Sequence, residues 1–236
     1  MGLLLHGNVK VNNQHYDAAD RLLVQAAAEL SEEYQKSQVH NQRVRLRIAA
    51  GRPLAAYTEL ESPKSTFNRL AWHFSEQREW QLLSQLVDLH AVEHPGSTDV
   101  LHWSVEVSWQ REEYAQVARL LEELPAEKWQ EISPWRVNDL RTRRVRSCLR
   151  LHRVSDADRI ARKYYEETGE AFQLLLVLAT QGRTDEFLRL AAERNEDQDN
   201  VQDLYDDDDI GPILIQEPFR DFRRQYPRPL TLLTHK

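Results

Sequence analysis

The chain has 236 residues, 41% hydrophobic and 29% charged, with a formal net charge of −7 from 31 Lys and Arg against 38 Asp and Glu. That length buries a real core in one domain or two small ones. Only 7 glycines are present, about half the usual share, which argues against Gly-rich phosphate loops and turn-dense β architectures.

Met1-Gly2-Leu3-Leu4-Leu5-His6 lacks the apolar stretch and basic flank of a signal peptide, and position 6 is not the Ser or Thr of a myristoylation signal. Residues 1–13 leave room for only a short leading helix. A short N-terminal edge of this kind is expected to dock on a neighbouring domain or subunit. Almost everywhere up to about Arg194, apolar residues recur at three- to four-residue spacing, the period of amphipathic helices. Leu82, Leu83, Leu86, Val87 and Leu89 mark one face. Val117, Leu120, Leu121 and Leu124 mark a second, and Phe172, Leu175, Leu176 and Ala179 a third. The punctuation agrees. Pro95-Gly96 and Pro125 stop helices, Ser133-Pro134 opens one, Ser155-Asp156-Ala157-Asp158 resembles a capping box, and Gly182 suits a helix C-terminus. No alternating strand pattern stands out; Ile213-Leu214-Ile215 is a short apolar run without an assigned element. No apolar run reaches the roughly 18 residues of a membrane span.

The helices pair, and the pairs repeat. Trp80 and Tyr114 are 34 residues apart, and the same shift matches Leu83 with Val117, Leu86 with Leu120 and Val87 with Leu121. Tyr16, Leu54, Ala157 and Phe187 lead similar apolar series. An Arg stands in the turn before five of these anchors, at positions 52, 78, 111, 153 and 183. With these residues the chain resembles the tetratricopeptide-repeat (TPR-like) superfamily over residues 8–194. Trp103 to Pro125 is the nearest copy, although Gln77 and Gln110 stand where that family has its turn glycine. The resemblance implies an all-α, right-handed α–α superhelix of about five to six hairpins, a concave groove that holds peptides, and a protein–protein interaction role. Trp80, Trp103 and Tyr114 are expected to be mostly buried in it.

After Glu193 the periodicity lapses at residues 195–200, so 195–236 reads as an acidic loop and closing segment behind a repeat domain at 1–194. Leu214, Phe219 and Phe222 are expected to cover the last hairpin, as a terminal repeat requires.

Charge is uneven. Between Arg136 and Lys163, ten cations face three carboxylates; between Glu193 and Asp209, nine carboxylates face one Arg. In a helix over 135–153, Arg136, Arg143, Arg146, Arg150 and Arg153 form a stripe opposite Val137, Leu140, Cys148 and Leu149. The stripe is the candidate partner-binding site. Its expected ligand is an acidic peptide or protein held bidentately, the chain's own 193–209 block included; the plainer alternative is a solvated convex stripe. Arg141 and Arg144 fall on the apolar side and would need a partner if buried. An RNA-binding repeat is one rival, although a pI of about 5.7 and the lack of interleaved aromatics disfavour nucleic acid.

A second rival is a zinc hydrolase. His90-Ala91-Val92-Glu93-His94 spells H-x-x-E-H, with two His one turn apart and Glu93 as base. The plainer alternative is a solvated helix C-terminus, where His complements the dipole. Asp206–Asp209 fails the EF-hand pattern. No cofactor motif occurs, and the single Cys148 fits a reducing, cytoplasmic compartment. The expectation is therefore a non-enzymatic scaffold or adaptor with no cofactor and no membrane segment.

Overall fold

The structure, a computed structural model, describes residues 15–60, 63–196 and 201–228. The expected leading helix and the N-terminal docking edge lie outside them. Every regular element among the described residues is helical, so the chain is all-α. No described helix is long and apolar enough to cross a membrane.

The chain divides into two compact units between Arg111 and Glu112. The first holds α1 (Tyr16–Ala28), α2 (Glu33–Ala49), α3 (Pro53–Glu59), α4 (Pro63–Glu76), α5 (Trp80–Glu93) and α6 (Thr98–Gln110). The second holds α7 (Tyr114–Glu122), the short α8 (Ala126–Glu131), α9 (Pro134–Arg150), α10 (Val154–Thr168), α11 (Phe172–Thr180) and α12 (Thr184–Glu196). It closes with a 3₁₀ turn (Val201–Asp206), α13 (Gly211–Leu214), a second 3₁₀ turn (Glu217–Phe219) and α14 (Arg220–Gln225). Within each unit successive helices pack as antiparallel hairpins, and first helices also touch: α2 against α4, and α9 against α11. α7 packs on α9, so α8 is an insertion beside that pair.

One turn geometry recurs. Gly51, Arg78, Glu112, His152 and Gly182 all have positive φ, between 57° and 70°. Each stands two residues before the first residue of the next helix. The amides of Arg52, Glu79, Arg153 and Arg183 each donate to the carbonyl five residues back, at 2.8–3.0 Å. This is the Schellman closure, which satisfies carbonyls that a helix end leaves free. Glycine takes the left-handed position in two turns; Arg78 and His152 hold it at a steric cost that these hydrogen bonds offset, and Glu112 takes the same φ.

The turn arginines follow from this geometry. Arg52, Arg153 and Arg183 follow the left-handed residue and reach back to the preceding hairpin's second helix. Arg52 meets Asp17 at 3.7 Å, Arg153 meets Glu122 at 2.7 Å, and Arg183 meets Asp158 at 2.7 Å. Arg153 and Arg183 also hold Asp156 and Glu186 in the first turn of their own helices. α10 therefore starts at Val154 behind Arg153, and the expected Ser155 capping box is not formed. The helix expected over 135–153 ends at Arg150 for the same reason.

The anchors do not share one register. Tyr16, Trp80 and Tyr114 open their helices, whereas Ala157 and Phe187 sit one turn inside theirs. Trp103 is fully buried, as expected; Trp80 and Tyr114, at helix starts, are only half-buried.

The second unit has one continuous core. α11, expected to bury one face, is buried from Gln173 to Ala179 because α9, α10, α12 and α13 surround it. Its one buried polar side chain, Gln173, donates to Asn138 Oδ1 at 2.7 Å and Thr142 Oγ1 at 3.1 Å on α9. The closing segment covers the last hairpin as expected. Leu214, Phe219 and Phe222 are buried, and the Phe187 ring of α12 meets Phe219 and Phe222 edge-on at 5.3 and 5.1 Å. Ile213 and Leu214 lie in α13, while Ile215 faces out.

Candidate functional site

α9 buries Leu140, Val145 and Cys148 on one side, and burial pushes the Cys148 thiol pKa up. Arg146 and Arg150, one turn apart, leave on the other side toward the closing segment. Asp209 Oδ2 lies 2.9 Å from Arg146 Nε, and Asp209 Oδ1 lies 2.5 Å from Arg150 Nη2. Asp207 Oδ2 takes a second bond from Arg146. Its other oxygen accepts the amides of Asp209 and Ile210 at 3.0 Å each, an Asx turn that presents both carboxylates to α9.

The other three stripe residues go elsewhere. Arg153 belongs to the next turn. Arg143 pairs with Asp139 one turn earlier at 3.8 Å, and the Arg136 guanidinium lies over the exposed Trp135 ring at 5.0 Å. Arg141 and Arg144 find their partners on α10. The Arg141 guanidinium stacks 4.6 Å from the Tyr164 ring and reaches Glu167 at 3.6 Å, while Arg144 donates to the Tyr164 hydroxyl at 3.1 Å. The structure thus brings Arg146 and Arg150 together and disperses Arg136, Arg143 and Arg153. The basic face of α9 is answered by carboxylates of its own chain.

The H-x-x-E-H residues end α5. His90 is buried rather than solvated, which corrects the exposed-terminus expectation for that residue. Its ring stacks on Phe67 with centroids 3.9 Å apart. The Tyr57 hydroxyl bridges His90 Nδ1 at 2.9 Å and Glu93 Oε2 at 2.8 Å. Because the hydroxyl proton goes to Glu93, Nδ1 of His90 carries the hydrogen and donates to Tyr57. Burial raises the Tyr57 pKa well above its ordinary value, with the Glu93 hydrogen bond adding to it. Burial also lowers the pKa of His90, with the neighbouring His94 adding to it. Among the described residues no group of three or more His, Cys, Asp or Glu is arranged to hold a metal ion. His90 and Glu93 instead join α3 to α5.

A third place was not singled out by the sequence. Ser37, Asn41, Arg45 and Ile48 on α2, and Ser65, Arg69, Trp72 and Glu76 on α4, line a groove of about 610 Å³. Each set follows steps of three and four residues, one helical face apiece. The α2 arginines divide by angle. Arg43 and Arg47, one turn apart, both point to α1 and meet Asp20 at 2.8 and 3.0 Å. Arg45 lies about 200° from Arg43 around the axis and enters the groove. Arg47 also holds Glu59 at 3.0 Å. Hydrogen bonds and charge from Arg43 and Arg47 outweigh the desolvation of Asp20 and lower its pKa.

Among the described residues neither Arg45 nor Arg69 forms an ion pair or a side-chain hydrogen bond. Partial burial, with the nearby charge of Arg45, lowers the Arg69 pKa. Asn68, also in the groove, has its Oδ1 buried without a hydrogen-bond partner. Trp72 is 47% exposed and stands edge-on against buried Trp103, centroids 5.2 Å apart.

No protein-family model, no curated protein and no solved structure matches the chain.

Volume and lining place the groove among ordinary ligand sites, which span roughly 300–1,000 Å³ with a few convergent polar groups. The signal available in the sequence was the alternation of Arg43, Arg45 and Arg47. Two of those charges pair with a carboxylate one helix away, and the third forms no ion pair among the described residues.

Proposed function

We propose that the chain is a non-enzymatic protein-interaction scaffold that seats an acidic peptide or protein segment in the groove between α2 and α4. The observation that carries this is the pair Arg45 and Arg69, two guanidinia in one groove with no ion-pair partner among the described residues. Such a pair gains most from a carboxylate brought by a ligand. The α9 face lends support: there an acidic turn already sits on Arg146 and Arg150. A TPR-like, right-handed superhelix is part of the proposal, supported by the left-handed residue shared by five turns, the closing hydrogen bond shared by four of them, and the stacked hairpins. So is a cytoplasmic setting, supported by the single buried thiol.

Titrating the full chain with a soluble Glu-rich peptide at rising ionic strength tests this. Binding is expected to weaken steadily as salt screens the exposed charges. Absence of binding at low salt, or affinity indifferent to salt, contradicts the proposal.

A further inference from the structure

We infer that the anionic group the α2–α4 groove recognises is a phosphoryl group on a peptide, rather than a carboxylate. This rests on the proposal that the groove holds an acidic segment.

The groove is rich in donors and in positive charge. Arg45 arrives from α2 and Arg69 from α4, with Asn41, Ser37 and Ser65 beside them, and Glu76 is its one carboxylate. A carboxylate has one negative charge and two oxygens; it satisfies one guanidinium bidentately and leaves the other without a counter-charge. A phosphoserine carries about −1.5 to −2 at neutral pH, with three strong acceptor oxygens. It answers two guanidinia from two helices at once and still accepts from a hydroxyl or an amide. Arg45 is exposed and Arg69 half-buried, so the site needs little rearrangement to be entered.

The exposed Trp72 ring on the groove wall points to a peptide rather than a free ion. Trp72, held against Trp103, offers a rigid apolar surface to a flanking side chain at little entropic cost.

Fluorescence-anisotropy titration of the full chain tests the inference. The probes are three labelled peptides of one neutral sequence, carrying phosphoserine, Glu or Ser at the central position. The phosphoserine peptide is expected to bind at least about ten-fold more tightly than the Glu peptide, with Ser weakest. Arg45→Ala and Arg69→Ala should each remove most of that preference. Arg45→Lys, which keeps the charge and loses the fork, should also lower it. Inorganic phosphate should compete only at concentrations far above the peptide's. Equal affinity for the phosphoserine and Glu peptides overturns this inference and leaves the acidic-segment proposal standing. Failure of all three to bind overturns both, as does a phosphoserine preference that survives both Ala variants. Displacement by inorganic phosphate at peptide concentration overturns the peptide source.

Discussion

Arg146 and Asp209, 63 positions apart in the chain, meet at 2.9 Å with both side chains over four-fifths buried. The contact fastens the closing segment to α9, and Arg150 shares the same carboxylate. Asp209→Asn keeps the shape and removes the charge, leaving Arg150 without its counter-ion and Arg146 with Asp207 alone. The loss should be about 1–2 kcal/mol, read as a lower urea midpoint, and should shrink at high salt.

Gly211 is a second fastening of that segment. A Cβ on it would stand 2.3 Å from the Tyr205 carbonyl oxygen, a backbone atom that cannot swing aside. Gly211→Ala should therefore cost about 1–3 kcal/mol, as overpacking does. Urea unfolding measures the loss, and hydrogen exchange should rise across 201–226.

The aromatic contact below the turn is larger in energy. Phe187 is fully buried and meets both Phe219 and Phe222. Phe187→Ala should cost about 3–5 kcal/mol. The closing segment should become susceptible to limited proteolysis before the α10–α11 pair does.

His90 gives the first unit an acid sensitivity. Its folded pKa lies below the ordinary 6.5, chiefly through burial and secondly through His94. The unfolded chain then binds a proton at a higher pH than the folded one. The stability contributed is complete above about 6.5 and is lost progressively as pH falls below that value toward the folded pKa. The urea midpoint should drop on mild acidification. Tyr57→Phe, which removes the hydroxyl shared by His90 and Glu93, should cost about 1 kcal/mol at neutral pH. An unchanged midpoint in that variant contradicts the bridging role.

Periodicity placed the helices, and the Trp80–Tyr114 shift placed the hairpins, because both signals are local. Leu214, Phe219 and Phe222 were legible as a cover because a stacked array must end on one. The ion pairs were not legible. Nothing local to Arg146 states that its counter-charges lie at 207 and 209, or that Arg153 leaves the stripe because the helix stops at Arg150. His90 read as solvated because its position near a helix end hid the Phe67 and Tyr57 side chains that other helices bring. The groove escaped for a related reason: Arg45 differs from Arg43 and Arg47 only in the neighbour that its angle selects.

The most direct measurement is calorimetric titration of a Glu-rich peptide into three full-length proteins: the unchanged chain, Arg45→Ala/Arg69→Ala, and Arg146→Ala/Arg150→Ala. Binding is expected to the first and third and is expected to be lost in the second. Loss in the third with binding intact in the second would place the site on α9 and contradict the α2–α4 groove.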